Sequence, residues 1–188
     1  MSLASNVVIL DTGCCNLTSL KAAVERLGVD PIVSRDASVI RAAERLFLPG
    51  VGTAKAAMTM LKDRALVDLI IEAKQPVLGI CLGMQLLGRT SEETGGVSML
   101  GLIDQPVRQL KTGDLPLPHM GWNQINPTDD PLFKGIAPGQ FTHSESSEYW
   151  ICSLNGFANK SLLRNPDDTS EKNLSQFLEI EPSPKARS

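Results

Sequence analysis

Histidine is nearly missing from this sequence. Only His119 and His143 occur among 188 residues, and neither has a cysteine at ligand spacing. Cysteine is scarce as well: Cys14, Cys15, Cys81 and Cys152, with no Cys-x-x-Cys pair. Metal sites draw on clustered histidine and cysteine, so no metal and no zinc site is expected. Adjacent Cys14 and Cys15 rarely bond to each other, and nothing resembles a disulfide frame. A reduced, cytoplasmic protein is the expectation. No apolar run approaches the ~20 residues of a membrane span. The N-terminal stretch lacks the basic and apolar regions of a signal peptide. Long basic runs are absent and the net charge is −3, which argues against a nucleic-acid surface. What remains is ordinary for a globular chain: 42% hydrophobic and 21% charged residues, at a length suited to one domain with a sizeable core.

What is present has a clear rhythm. Val7-Val8-Ile9-Leu10 is a short apolar run closed by Asp11-Thr12-Gly13, the pattern of a buried strand and a turn. Leu17, Leu20, Val24 and Leu27 follow at helical spacing, with Gly28 as a stop. Further strands are expected at residues 31–34, 46–48 and 77–80, and helices at 38–44, 54–61, 66–73 and 82–88. Strands alternating with helices predict an α/β fold: a mostly parallel central sheet with helices on both faces. Ligands in such sheets bind at the carboxyl ends of the strands. Three of those ends carry unusual loops, DTGCCN, PGVGT and GICLG, which should converge on one edge.

Beyond residue 96 the pattern shifts to short strands, expected within 97–110 and 122–126. Between them LPLPHMGWN is so rich in proline and glycine that an irregular loop is expected. The last quarter changes composition: residues 141–188 hold nine serines, against seven in residues 1–140. A strand over 149–154 and a helix bearing Leu174, Phe177 and Leu178 are the regular elements expected there.

Cys81 is the centre of chemical interest. It stands between Gly79 and Gly83 at a strand-to-helix junction. A turn that tight tolerates only small neighbours, and it holds a nucleophile up at the sheet edge, as in the serine elbow of hydrolases. A helix start favours a thiolate, and the N–H of Leu82 is placed to donate to an oxyanion. The plain alternative is a small buried cysteine. Residues 49–53, PGVGT, also follow a strand, and their glycines let backbone N–H groups approach a ligand closely. No GxxxxGK[ST] occurs, so a phosphate loop is disfavoured. Gln85 lies one helical turn after Cys81 and can face the same pocket; by itself it reads rather as an exposed helix residue.

These stretches carry a resemblance. GICLGMQLLG resembles the nucleophile motif of class I glutamine amidotransferases, and PGVGT resembles their oxyanion loop. VVILDTGCCNLTSLKAAVERLG and LPLPHMGWN narrow the match to the glutaminase subunits of imidazole glycerol phosphate synthase, over roughly residues 6–144. The resemblance implies a chain that hydrolyses L-glutamine to glutamate and ammonia without a cofactor. The ammonia would pass to a separate (β/α)8-barrel cyclase subunit in histidine biosynthesis. It implies Cys81 as nucleophile, Gly52 in the oxyanion loop, and Gln85, His143 and Ser144 as glutamine-binding residues. Asn16, Pro118, His119 and Trp122 fall in segments that face the cyclase, with no role in nucleic-acid or membrane binding.

One family motif finds no counterpart. A cysteine glutaminase needs a base to take the thiol proton and return one to ammonia. The family supplies it from a His-Pro-Glu segment near the C-terminus. This chain has Asn165-Pro166-Asp167 in the corresponding region, and asparagine takes no proton at neutral pH. The match fades after Ser144. Residues 1–144 are therefore expected to form the amidotransferase-like domain, with 145–188 a divergent tail that completes the same domain or stands apart. A non-catalytic, partner-binding or regulatory subunit of the cyclase is the alternative function.

Overall fold

The computed structural model describes residues 6–13, 17–109, 114, 117, 119–124, 137–139, 141–146 and 148–149. Four strands form a parallel sheet: β1 (Val7–Leu10), β2 (Ile32–Ser34), β3 (Arg45–Gly50) and β4 (Val77–Cys81), in the order β2-β1-β3-β4. Helices α1 (Leu17–Arg26), α2 (Ala37–Ala42), α3 (Ala54–Asp63), α4 (Val67–Ile71) and α5 (Leu82–Leu86) alternate with them or follow them.

Alternation along β1 explains the layering. Val7 and Ile9 point to one face, where they pack with Leu20, Ala23 and Val24 of α1 and with Phe47 and Leu78. Val8 and Leu10 point to the other, against Ile40 of α2, Ala57 and Leu61 of α3, and Ile70 of α4. All four residues of β1 are buried, as a parallel strand covered on both sides must be. The continuous apolar run VVIL is that double burial written in sequence.

The sheet edge is set by local signals. Asp36 caps α2, its carboxylate accepting from the backbone N–H of Ser38 and Val39. Thr53 caps α3, accepting from Ala56 N–H at 3.3 Å. Both are small polar N-caps whose oxygens satisfy first-turn donors.

A second sheet joins β5 (Gly88–Ser91), β6 (Val97–Ser98), β7 (Ile103–Gln109) and β10 (Glu148–Tyr149), in the order β10-β7-β5-β6. A two-stranded ladder pairs β8 (His119–Gln124) with β9 (Phe141–Ser146). No described helix is long and apolar enough to cross a membrane.

Several sequence expectations move. The helix after Cys81 is shorter than expected, because Gly88 begins β5 and pairs with Ile103. β3 does not stop before Pro49: it continues to Gly50, with Pro49 opposite Ile80. β8 takes in the end of the stretch expected as an irregular loop and overlaps the strand expected within 122–126, since antiparallel pairing with β9 stabilises HMGWNQ despite its glycine. The strand expected over 149–154 is described only at Glu148–Tyr149. The helix near Leu174 and Phe177 lies outside the described residues.

Candidate active site

Register builds the site. Gly50, the last residue of β3, stands opposite Cys81, the last of β4. The PGVGT loop therefore leaves the sheet beside the cysteine, and the Asp11-Thr12-Gly13 turn leaves the neighbouring β1 on the same edge.

Cys81 has φ 54° and ψ −125°. That conformation lies outside the left-handed helical well, toward a region open freely only to glycine. The thiol is exposed and free, so the plain reading of a small buried cysteine does not hold. The strain has a visible cause. α5 turns back immediately and packs against the ends of β3 and β4, and glycines line the contact. A Cβ on Gly79 would lie 2.5 Å from Met84 Cα, and one on Gly50 would lie 2.6 Å from Gly83 N. A Cβ on Gly83 would overlap the Leu48 carbonyl and lie 2.7 Å from its carbon. The Gly-x-Cys-x-Gly spacing is thus a steric requirement of the turn.

Leu82 and the PGVGT loop are the stretches from which backbone donors are expected. Leu82 is the first residue of α5, and first-turn N–H groups have no acceptor within their own helix. Val51, Gly52 and Thr53 are exposed, and Gly52 has φ +90°, a conformation that a larger residue adopts only with strain. Gln85 is half-buried on α5. Gly50, Gly52, Cys81, Leu82 and Gln85 are thereby gathered at one sheet edge.

The other described candidates belong to a separate ladder. His143 is opposite Trp122 in the β8–β9 ladder, and Ser144 is opposite Gly121. His119 stands opposite Ser146. The ladder joins these residues to one another rather than to the sheet that carries Cys81. Trp122 is 47% exposed, a large apolar area open to solvent. Asn16 and Pro118 lie outside the described residues. No group of three or more metal-ligating side chains occurs among the described residues.

Two polar contacts had no sequence signal. Arg64, at the end of α3, donates to the Asp11 carboxylate at 3.0 Å and to the Asp11 carbonyl at 3.3 Å. Its guanidinium fills the space beside Gly13. Glu93 accepts from the backbone N–H of Ala54 at 2.6 Å, just after the PGVGT loop. Both partners are distant in sequence, so periodicity and spacing carry no trace of either.

The family pattern of glutamine amidotransferase class-I matches residues 8–150. This chain belongs to that family. The class I amidotransferase chain is 59% identical over 143 residues to the imidazole glycerol phosphate synthase subunit HisH of Salmonella typhimurium, covering 74% of this chain and 73% of that one. It is 58% identical to the same-named protein of Escherichia coli, with the same coverage. Among solved structures, a glutamine amidotransferase superposes with a TM-score of 0.68 at 15% identity, over 92% of this chain and 97% of that one. A putative GMP synthase protein from Thermoplasma acidophilum gives 0.66 at 14%, over 96% and 95%. At those identities the structural likeness is one of fold, and it bears out the mostly parallel α/β architecture expected from the sequence.

Proposed function

We propose that this amidotransferase chain hydrolyses L-glutamine at Cys81 and delivers ammonia to a cyclase subunit that makes imidazole glycerol phosphate in histidine biosynthesis. The observation that carries this reading is the strained, exposed Cys81 opposite Gly50, beside the PGVGT loop. The Cys81 thiolate attacks the side-chain amide carbon of glutamine. Negative charge gathers on the amide oxygen, where N–H groups of Leu82 and of the Gly52 loop stabilise it. The proton lost by the thiol passes to the amide nitrogen, so collapse breaks the C–N bond, expels ammonia and leaves a glutamyl thioester. Water then hydrolyses the thioester to glutamate and restores the thiol.

Gln85, His143 and Ser144 hold the glutamine in this scheme. Asn16, Pro118, His119 and Trp122 face the (β/α)8-barrel cyclase, and the exposure of Trp122 supports that surface. The domain of residues 1–144 continues at least to residue 149 in this reading, since β9 runs through residue 145 and β10 pairs with β7. The names of the close relatives support both the pathway and the partner.

A second reading rests on one specific observation. The sequence has histidine at 119 and 143 only, with Asn165-Pro166-Asp167 in the region where the family carries His-Pro-Glu. The chain would then dock on the cyclase without hydrolysing glutamine. Glutamine hydrolysis by the purified pair, with the cyclase ligand present, separates the two. Turnover that disappears in Cys81→Ala supports the glutaminase. A stable complex without turnover supports the docking role, and no complex at all removes both.

A further inference from the structure

The PGVGT loop is fixed at both ends, and the second anchor comes from the other sheet. At its start, Gly50 is held by the ladder opposite Cys81 and by its close approach to Gly83. At its end, helix α3 begins. Thr53 caps Ala56, and the Thr53 carbonyl accepts from Ala57 N–H at 3.0 Å. That leaves the N–H of Ala54, a buried residue, without an acceptor from its own helix. Glu93 supplies it at 2.6 Å, from 39 residues away in sequence.

Glu93 is itself held. Its N–H donates to Ser91 Oγ at 3.1 Å, and Ser91 is buried at 2% exposure. Its carbonyl accepts from Gly96 N–H at 3.1 Å. The preceding Glu92 N–H bonds to the Val107 carbonyl at 3.1 Å, tying the turn to β7. Thr94 completes this turn at φ 51°, a conformation uncommon for a residue with a branched Cβ. The second sheet thus presents a carboxylate to the loop from a turn locked by its own hydrogen bonds.

We infer that Glu93 is a positioning residue of the oxyanion loop. By fixing the start of α3 it confines the loop's freedom to Val51 and Gly52, exposed residues that follow directly on Gly50 opposite Cys81. The role of that loop in chemistry rests on the glutaminase reading, whereas the anchor does not.

The test compares Glu93→Ala and Glu93→Asp, which cannot reach Ala54, with Glu93→Gln, whose amide oxygen still accepts. Amide exchange and 15N relaxation are measured by NMR on the full chain. In the Ala and Asp variants, Ala54 N–H exchange is expected to rise by about tenfold or more, with core amides such as Ile9 and Phe47 unchanged. The order parameters of Val51 and Gly52 are expected to fall toward ~0.6. Glu93→Gln is expected to stay close to wild type in both. Unchanged Ala54 exchange in the Ala or Asp variant overturns the anchor. Released Ala54 with unaltered Val51 and Gly52 overturns the positioning role. If Glu93→Ala does not fold, Glu93→Asp decides by the same two readouts. Where the wild type turns over glutamine, kcat is expected to fall roughly 10- to 100-fold in the Ala and Asp variants, with KM moving much less. An equal loss in Glu93→Gln would point to a charge contact instead and overturn the proposal. A wild type without turnover refutes the glutaminase reading and leaves the NMR result to judge the anchor.

Discussion

Replacing Cys81 by glycine should make the protein more stable while removing its nucleophile. The reasoning starts from φ 54° and ψ −125°. Holding a side-chain-bearing residue in so sparsely populated a region costs about 1–3 kcal/mol. Glycine adopts it freely, but adds about 0.5–1 kcal/mol of chain entropy to the unfolded state. The thiol is exposed, so little burial is lost. The net gain is roughly 0–2.5 kcal/mol, centred on ~1 kcal/mol, or up to about 10 °C in Tm for a chain of this size. Cys81→Ala is the matched control. It removes the same sulfur but keeps a Cβ, and so keeps the strain. Thermal unfolding of the three proteins in one buffer should rank glycine above both alanine and wild type. A glycine variant no more stable than the alanine variant would refute the claim that the turn stores strain at Cys81.

Three further outcomes follow from the same geometry. Gly83→Ala drives a Cβ into the Leu48 carbonyl, so α5 must shift away from β3; a loss of about 3 kcal/mol or more is expected, read as a Tm drop of roughly 6–12 °C. Arg64→Ala removes a partly buried ion pair with Asp11 and a hydrogen bond to its carbonyl; thermal melts should show a loss of about 1 kcal/mol, since solvent screens part of the pair. The Asp36 carboxyl is held below the usual carboxylate range, first by the Ser38 hydroxyl and then by the backbone N–H of Val39 and Ser38. Its stabilising contribution should therefore be fully present above the unfolded-state pKa and be lost as pH falls through the lower folded value. The Tm difference between wild type and Asp36→Ala should be flat from neutral to mildly acidic pH and shrink only in strong acid.

Much of the site is local, and locality made it legible. The apolar run VVIL, the glycines around Cys81 and the loops after β3 and β4 each encode a short-range constraint: double burial, a turn with no room for Cβ, a backbone needing positive φ. Parallel topology then brings the loops to one edge without further information. The strand at Gly88–Ser91 leaves no mark in the sequence because its residues, GRTS, show no β pattern. Its pairing with β7 decides the matter. Proline and glycine mask β8 in the same way, and its partner β9 comes 17 residues or more further along the chain.

Local sequence was enough to put Cys81 at a tight strand-to-helix turn and to mark a glycine-rich loop after β3, because each depends on neighbours a few residues away. What steadies the turn and the loop came only with packing. Glu93 on Ala54 and Arg64 on Asp11 each join segments 39 and 53 residues apart. Such contacts exist only once the sheets and helices have come together, since nothing in a one-dimensional pattern fixes which distant carboxylate or guanidinium arrives at a given backbone N–H or turn.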